Sequence, residues 1–347
     1  MPSLLDPIRV GDLDLPNRVF MAPLTRSRAS AGRVPNSLMR EYYVQRASAG
    51  LILSEATSVT PMGVGYPDTP GIWSDEQVEG WRSIVQAVHD AGGHIALQLW
   101  HVGRISDPYF LDGALPVAPS AIAQEGTVTR IPDPHPYVTP RALDLDEIPA
   151  IVEAYRQGAA NAKRAGFDGV EVHGANGYLL QQFLHLGSNH RADEYGGTLE
   201  NRARLMLEVT DACVDVWGPK RVGMHLNPRV AGPEENPVET FGYVARELRE
   251  REIAYVCARE ERRDDWVSHT IREAFGGVFI ANEKFDRASG EATLENGNAD
   301  AVAYGRLFIA NPDLPRRFAE GAPLNEPNVS TFYSPGAQGY TDYPALD

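Results

Sequence analysis

The sequence predicts an α/β fold, a single (β/α)8 TIM barrel, on three observations: eight short runs rich in Val, Ile and Leu, a helical pattern after each, and 347 residues to hold them. The runs are RVFMAPL, LILSEAT, HIALQLW, GVEVH, RVGMHL, IAYVCA, GVFIA and AVAYG. Near-continuous apolar character marks strands buried on both faces, as in a parallel sheet covered by helices. A doubly wound sheet is the competing architecture, but its G-x-G-x-x-G turn after the first strand is absent.

The elements follow in order. Ahead of the first run, DPIRVGDLDLPN reads as an N-terminal β-hairpin that plugs the bottom of the barrel. After the second, Ser74 and Gln77 form a capping box, Val78, Trp81, Val85 and Val88 share one helical face, and Gly92-Gly93 ends the helix. Between His101 and Glu147 lies a Pro-containing insertion too long for an ordinary connection, so a lid is expected after strand three. After the fourth run, Thr198 caps a helix bearing Leu205, Val209, Ala212 and Val216, which Gly218-Pro219 terminates. VETFGYVARELRERE and DDWVSHTIREAFGG supply the next two helices, and the connection NPRVAGPEENPVE reads short. The tail TFYSPGAQGYTDYPALD carries four aromatics among turn formers and is expected to fold back on the body, giving one domain over 1–347.

Composition narrows the function. Residues are 43% hydrophobic and 23% charged, and no stretch approaches the ~20 apolar residues of a membrane span. A formal charge of −15 opposes a polyanion, so nucleic acid is not an expected partner. The opening MPSLLDPIRVGDLDL has acids where a signal peptide has bases, which points to the cytoplasm. Cys213 and Cys257 lack motif spacing, and His101 and His225 lack partners at ligand spacing, so neither a disulfide nor a metal is expected. Only Glu55 and Glu260 fall near strand ends, which argues against a glycosidase pair.

In such a barrel the functional side chains stand at the C-terminal ends of the strands. That rule selects Pro23, Leu24, Thr25, Glu55, Ala56, Gln98, Trp100, His101, His173, Asn176, Tyr178, His225, Asn227, Ala281, Asn282, Gly305 and Arg306. Neutral donors dominate, which suits a planar polar ring and a carbonyl. Gly305-Arg306, preceding LFIANPDL, offers N–H groups and a guanidinium where barrels frequently bind phosphate.

FMAPLTRSR, EYYVQRASAGLILSEAT, HIALQLWHVGR, HGANGYLLQQFL, SNHRADEYGGTLENRARLMLEV, ADAVAYGRLFIANPDLPRR and GYTDYP closely resemble the Old Yellow Enzyme family of flavin-dependent ene-reductases, from Asp6 onward and in the family's order. The resemblance implies tightly bound, non-covalent FMN, with NADPH or NADH as reductant and an activated alkene as the second substrate in ping-pong turnover. It implies flavin contacts from Ala22, Pro23, Leu24, Thr25, Ala56, Gln98, Ala281 and Asn282, with the Thr25 hydroxyl near ring O4 and Gly305 and Arg306 on the phosphate. His173 and Asn176 would bind the substrate's carbonyl or nitro oxygen, Tyr178 would donate the proton, and Tyr66, Trp100 and Tyr333 would surround the substrate. His225 stands where the family commonly has an arginine over the flavin N1/O2 edge, which predicts weakened FMN retention. Nitro or nitrate-ester reduction on the same site, and a flavin-weakened relative that binds or isomerises enones, are the alternatives; a monomer and a homodimer are both compatible with the sequence.

Overall fold

The computed structural model describes residues 2–229 and 236–347; residues 230–235, inside the connection NPRVAGPEENPVE, lie outside the described residues. All eight apolar runs become barrel strands: β1 (Val19–Met21), β2 (Ile52–Leu53), β3 (Ile95–Trp100), β4 (Gly169–Gly174), β5 (Val222–Leu226), β6 (Tyr255–Arg259), β7 (Val278–Asn282) and β8 (Ala301–Tyr304). Each pairs in parallel with the next, and β8 pairs with β1, so the sheet closes on itself.

Side chains alternate across every strand, because the pleat has a period of two. Phe20, Leu53, Ala96, Cys257, Ile280 and Ala303 point inward and pack together. Their neighbours Met21, Ile52, Leu97, Val256, Phe279 and Val302 point outward into the layer between sheet and helices. The hairpin Ile8–Val10/Leu13–Leu15 inserts Val10 and Leu15 among the inward set. Its turn hydrogen-bonds the Lys220 carbonyl just before β5, which places the plug at the N-terminal end of the strands. Function is therefore confined to the opposite mouth.

Helix boundaries follow local chemistry. Ser74 Oγ accepts the Gln77 N–H while Gln77 Oε1 accepts the Ser74 N–H, opening the helix Asp75–Asp90. Thr198 opens Leu199–Trp217, and Gly218 with φ 76° closes it. The helix Ser268–Phe275 is capped from a distance: the carboxylate of Glu260 accepts the N–H groups of Val267 and Ser268 at 3.1 and 2.7 Å. That assignment gives Glu260 a structural task.

The insertion after β3 builds small structures of its own: a turn of helix at Pro108–Phe110, an antiparallel pair Thr127–Val128/His135–Pro136, and a parallel pair Val117–Ala118/Arg141–Ala142. It reaches the mouth, where Tyr137 packs against the cluster of Ala56, Trp100, Val102 and Ile105, and Arg130 lies 3.5 Å above the Tyr333 ring. The tail returns as well, with Tyr340 stacked on Tyr42 at 4.1 Å. Among the described residues no helix is long and apolar enough to cross a membrane.

Candidate functional site

A cavity of about 370 Å³ opens at the C-terminal ends of the strands. Its lining includes most of the residues selected from the sequence: Ala22, Pro23, Leu24 and Thr25 after β1, Ala56 after β2, Gln98 and Trp100 on β3, His173, Asn176 and Tyr178 at β4, His225 on β5, Asn282 on β7, and Gly305 and Arg306 after β8. Tyr333 of the tail closes one side. Five expected residues, Glu55, Tyr66, His101, Asn227 and Ala281, stand outside this lining. Ala281 pairs with Ala258 in the ladder and shares its outward direction, so its methyl packs among helices; the two-residue pleat puts Ile280 and Asn282 inward instead. Tyr66 lies behind the wall, stacked on Trp100 at 5.7 Å, with its hydroxyl 3.1 Å from that of Tyr178.

The segment HGANGYLLQQ makes its geometry from within. Asn176 (φ 59°) and Gly177 (φ 74°) both take the left-handed conformation, which turns the chain back beside β4. Gln181 Oε1 accepts the Gly177 N–H at 2.8 Å and Gln182 Nε2 donates to the Gly177 carbonyl at 2.7 Å, so the turn is pinned by the helix that follows. The result brings Asn176 Nδ2 to 3.5 Å from His173 Nε2.

Protonation of the histidine follows from its partners. Nδ1 of His173 accepts the Ala175 N–H at 3.3 Å, so the ring hydrogen resides on Nε2 and faces the amide of Asn176. Burial holds the imidazole well below its ordinary pKa, with nearby His225 and Arg259 acting in the same direction. His173 is thus a neutral donor. Tyr178 is partly buried, and burial followed by the neighbouring Tyr66 raises its phenol well above the ordinary value of 10.0, so its proton is retained. Trp100 stands beside both, 5.0 Å from Tyr178 and 6.3 Å from His173 between ring centres.

Deeper in the barrel, Gln98 Nε2 donates to Glu171 Oε1 at 2.7 Å, and His225 Nδ1 lies 3.3 Å from the same oxygen without hydrogen-bond alignment. Glu171, His225 and Cys257 bring their potential ligand atoms within 4.8 Å of one another, a grouping formed across three strands that no spacing in the sequence announces. His101 lies outside the lining; its Nδ1 accepts the Gly103 N–H at 3.0 Å, and burial lowers its pKa to about 3. Both cysteines are free and buried.

Nine residues beyond the expected set enter the cavity wall, among them Arg259 at the end of β6, and Glu283, Lys284 and Phe285 after β7. Arg259 Nε donates to Glu283 Oε2 at 2.6 Å, and its Nη1 donates to Asn176 Oδ1 at 3.0 Å. Asn227, beyond β5, donates to the same Oδ1 at 2.9 Å.

The donor set fits a flavin phosphate. Small apolar residues Ala22, Ala56 and Ala303 leave a flat floor, and Gln98, which keeps its carbonyl and one amide hydrogen, and Thr25 supply polar edges. Arg306, on the cavity wall, makes no ion pair or hydrogen bond to another described residue and is available to an anion.

The profile of the NADH:flavin oxidoreductase / NADH oxidase family matches residues 3–325. The putative 12-oxophytodienoate reductase 4 of Oryza sativa subsp. japonica is 46% identical over 359 residues, covering 99% of this chain and 93% of that protein. A structure of morphinone reductase in complex with tetrahydroNAD superposes with a TM-score of 0.96 at 52% identity, covering 100% of this chain and 98% of the other. The old yellow enzyme homologue from Zymomonas mobilis gives 0.96 at 46% identity, over 99% of this chain and 100% of its own.

Proposed function

Because the chain belongs to the NADH:flavin oxidoreductase / NADH oxidase family, the Old Yellow Enzyme family, we propose that it reduces the C=C bond of activated alkenes with FMN held in the mouth cavity and NADPH or NADH as reductant. The substrates are α,β-unsaturated carbonyls, maleimides and nitroalkenes, taken in turn with the nicotinamide at one place. When bound, FMN supplies the redox chemistry, taking hydride from the nicotinamide and giving it to the alkene β-carbon. The remaining work falls to side chains. Arg306, with the N–H groups after Gly305, would hold the phosphate, and Thr25, Gln98 and His225 would meet the edges of the ring.

Hydride addition at the β-carbon pushes the alkene electron pair toward the carbonyl, so negative charge builds on its oxygen. The N–H groups of His173 and Asn176, on nitrogens 3.5 Å apart, converge on one point beside the cavity and serve as an oxyanion hole. Loss of one such donor costs on the order of 3 kcal/mol of transition-state stabilisation. Tyr178 then delivers its proton to the α-carbon, with the Tyr66 hydroxyl 3.1 Å away as its hydrogen-bonding neighbour. The observation that carries the reading is this trio: two neutral N–H donors and a proton-retaining phenol at the end of β4.

Colour tests it. The purified protein is expected to be yellow, to bleach with NADPH under nitrogen and to recolour with cyclohexenone; a colourless protein that FMN does not reconstitute refutes the proposal. Tyr178→Phe is expected to leave flavin reduction near normal while slowing reoxidation by the enone about a hundredfold. Equal loss in both half-reactions would remove the proton-donor role.

A further inference from the structure

An amide has two chemically opposite ends, and Asn176 serves a developing oxyanion only if nitrogen faces the cavity. What holds the oxygen end decides the matter. In this structure it is held twice: Asn176 Oδ1 accepts from Arg259 Nη1 at 3.0 Å and from Asn227 Nδ2 at 2.9 Å, which occupies both lone pairs. Both donors are themselves anchored. The Asn227 carbonyl accepts from Gln181 Nε2 at 2.7 Å, and the guanidinium of Arg259 is forked onto Glu283 at 2.6 and 3.3 Å. Turning the amide over would set its NH2 against two other donors and leave them without an acceptor. The adjacent positive charge also polarises the amide, which strengthens Nδ2–H as a donor.

Position along the strand explains how a cation reaches this point. Cys257 and Arg259 share the inward direction of β6, and Cys257 lies opposite His225 in the ladder. The mouth thus receives an imidazole from β5 and its guanidinium from the next strand over.

The geometry points to Arg259 as a positioning residue for the oxyanion hole: anchored by Glu283, it locks Asn176 with Nδ2–H directed into the cavity and strengthens that donor. The inference rests on the reading of His173 and Asn176 as the oxygen-binding pair.

A double-mutant cycle tests it. Reoxidation of the reduced holoenzyme at saturating cyclohexenone is measured by stopped flow for the wild type, Arg259→Met, Asn176→Ala, the double variant and Arg259→Lys. Arg259→Met is expected to slow reoxidation about tenfold, with a smaller change in the half-saturating enone concentration, and Arg259→Lys to recover most of the loss. In the Asn176→Ala background the same Arg259→Met change is expected to alter the rate by less than about twofold. Equal slowing in both backgrounds overturns the proposal, because Arg259 would then act without Asn176. Arg259 is at the rim with 42% of its side chain exposed, so its truncation leaves the barrel core intact; Arg259→Gln replaces any variant that fails to fold. A protein without flavin or enone turnover refutes the ene-reductase reading instead. Calorimetric binding of para-nitrophenolate, a planar oxyanion, to the same set then decides the coupling by the same criterion.

Discussion

Where the tail meets the barrel, three arginines are gathered and nearly every guanidinium nitrogen has an acceptor; at the barrel mouth, several polar groups have none. In the tail clamp, Arg46 is fully buried and donates to the carbonyls of Phe308, Tyr42 and Ile309 at 2.9, 2.8 and 2.8 Å. Arg28 reaches the carbonyls of Thr331, Phe332 and Gly336, and Arg26 those of Phe332 and Gly339, with only Nη1 of Arg26 left over. Aromatic faces complete the enclosure: Arg46 lies 3.7 Å from the Tyr42 ring centre and Arg28 4.3 Å from that of Tyr340. No carboxylate contacts Arg46 among the described residues; carbonyl dipoles and ring faces carry its charge. At the mouth, by contrast, Trp100 Nε1 and His225 Nδ1 are buried without a hydrogen-bond partner, and Arg306 is unpaired. The difference separates two uses of polarity. An arginine that only builds the fold is satisfied by the fold, whereas one that binds something must keep capacity in reserve.

The sharpest way to break this contrast is to truncate an arginine in each region. Arg46→Met leaves three buried carbonyls without donors and is expected to cost about 3–5 kcal/mol, read by urea denaturation. Arg306→Met removes a guanidinium that bonds to nothing in the fold, so in the flavin-free protein it is expected to stay within about 0.5 kcal/mol of the parent. Similar losses for the two would mean that the mouth is also structural and that the contrast is an accident of side-chain placement.

A somewhat smaller effect is expected from the mouth itself. His173→Ala removes one of the two converging N–H donors, so reoxidation by enone should slow by 10²- to 10³-fold, about 3 kcal/mol. The unfolding midpoint should move far less than for Arg46→Met, because His173 supports only the Ala175 N–H. A variant that loses stability and turnover in proportion would make His173 a packing residue. Stopped-flow rates and denaturation curves on one preparation distinguish these outcomes.

The sequence shows some of these features and hides others for physical reasons. Strands are legible because both faces of each are buried, which leaves a continuous apolar run. The β4 trio is legible because HGANGY places its turn formers and polar residues together. Arg259 escapes notice because the apolar run IAYVCA stops at Ala258, while backbone pairing carries β6 one residue further, to Arg259 opposite Asn282. Ala281 misleads for the complementary reason: it lies at the right end of β7 but on the wrong face, and a short run of small apolar residues does not reveal its pleat. Docking of the lid through Tyr137 and Arg130 depends on contacts between segments far apart in sequence, for which no local pattern exists.

Glu55 lies on the border between the two regions and decides where the border runs. Its neighbour Ala56 lines the cavity, but its own carboxylate faces the clamp, accepting the Arg26 N–H and the Tyr43 hydroxyl, each at 3.3 Å. Burial dominates and pushes its pKa from 4.5 to about 7, against the downward pull of the Arg26 N–H and the nearby arginine charges. Because the folded value lies above the unfolded one, the native state holds a proton that the unfolded chain has released between these two values. Stability is therefore highest below the unfolded pKa and falls as pH rises from 4.5 to about 7, by an amount on the order of 1–3 kcal/mol. Glu55→Gln keeps the shape and the acceptor oxygen but cannot ionise, so it should flatten that slope and make the protein more stable than the parent above the window. If flavin reduction by NADPH and reoxidation by enone also keep their rates, Glu55 belongs with the saturated clamp. A stability slope unchanged by Glu55→Gln would show that the carboxylate is ionised in the fold, compensated by the arginines behind it, and would place the charge of the clamp directly against the wall of the flavin cavity.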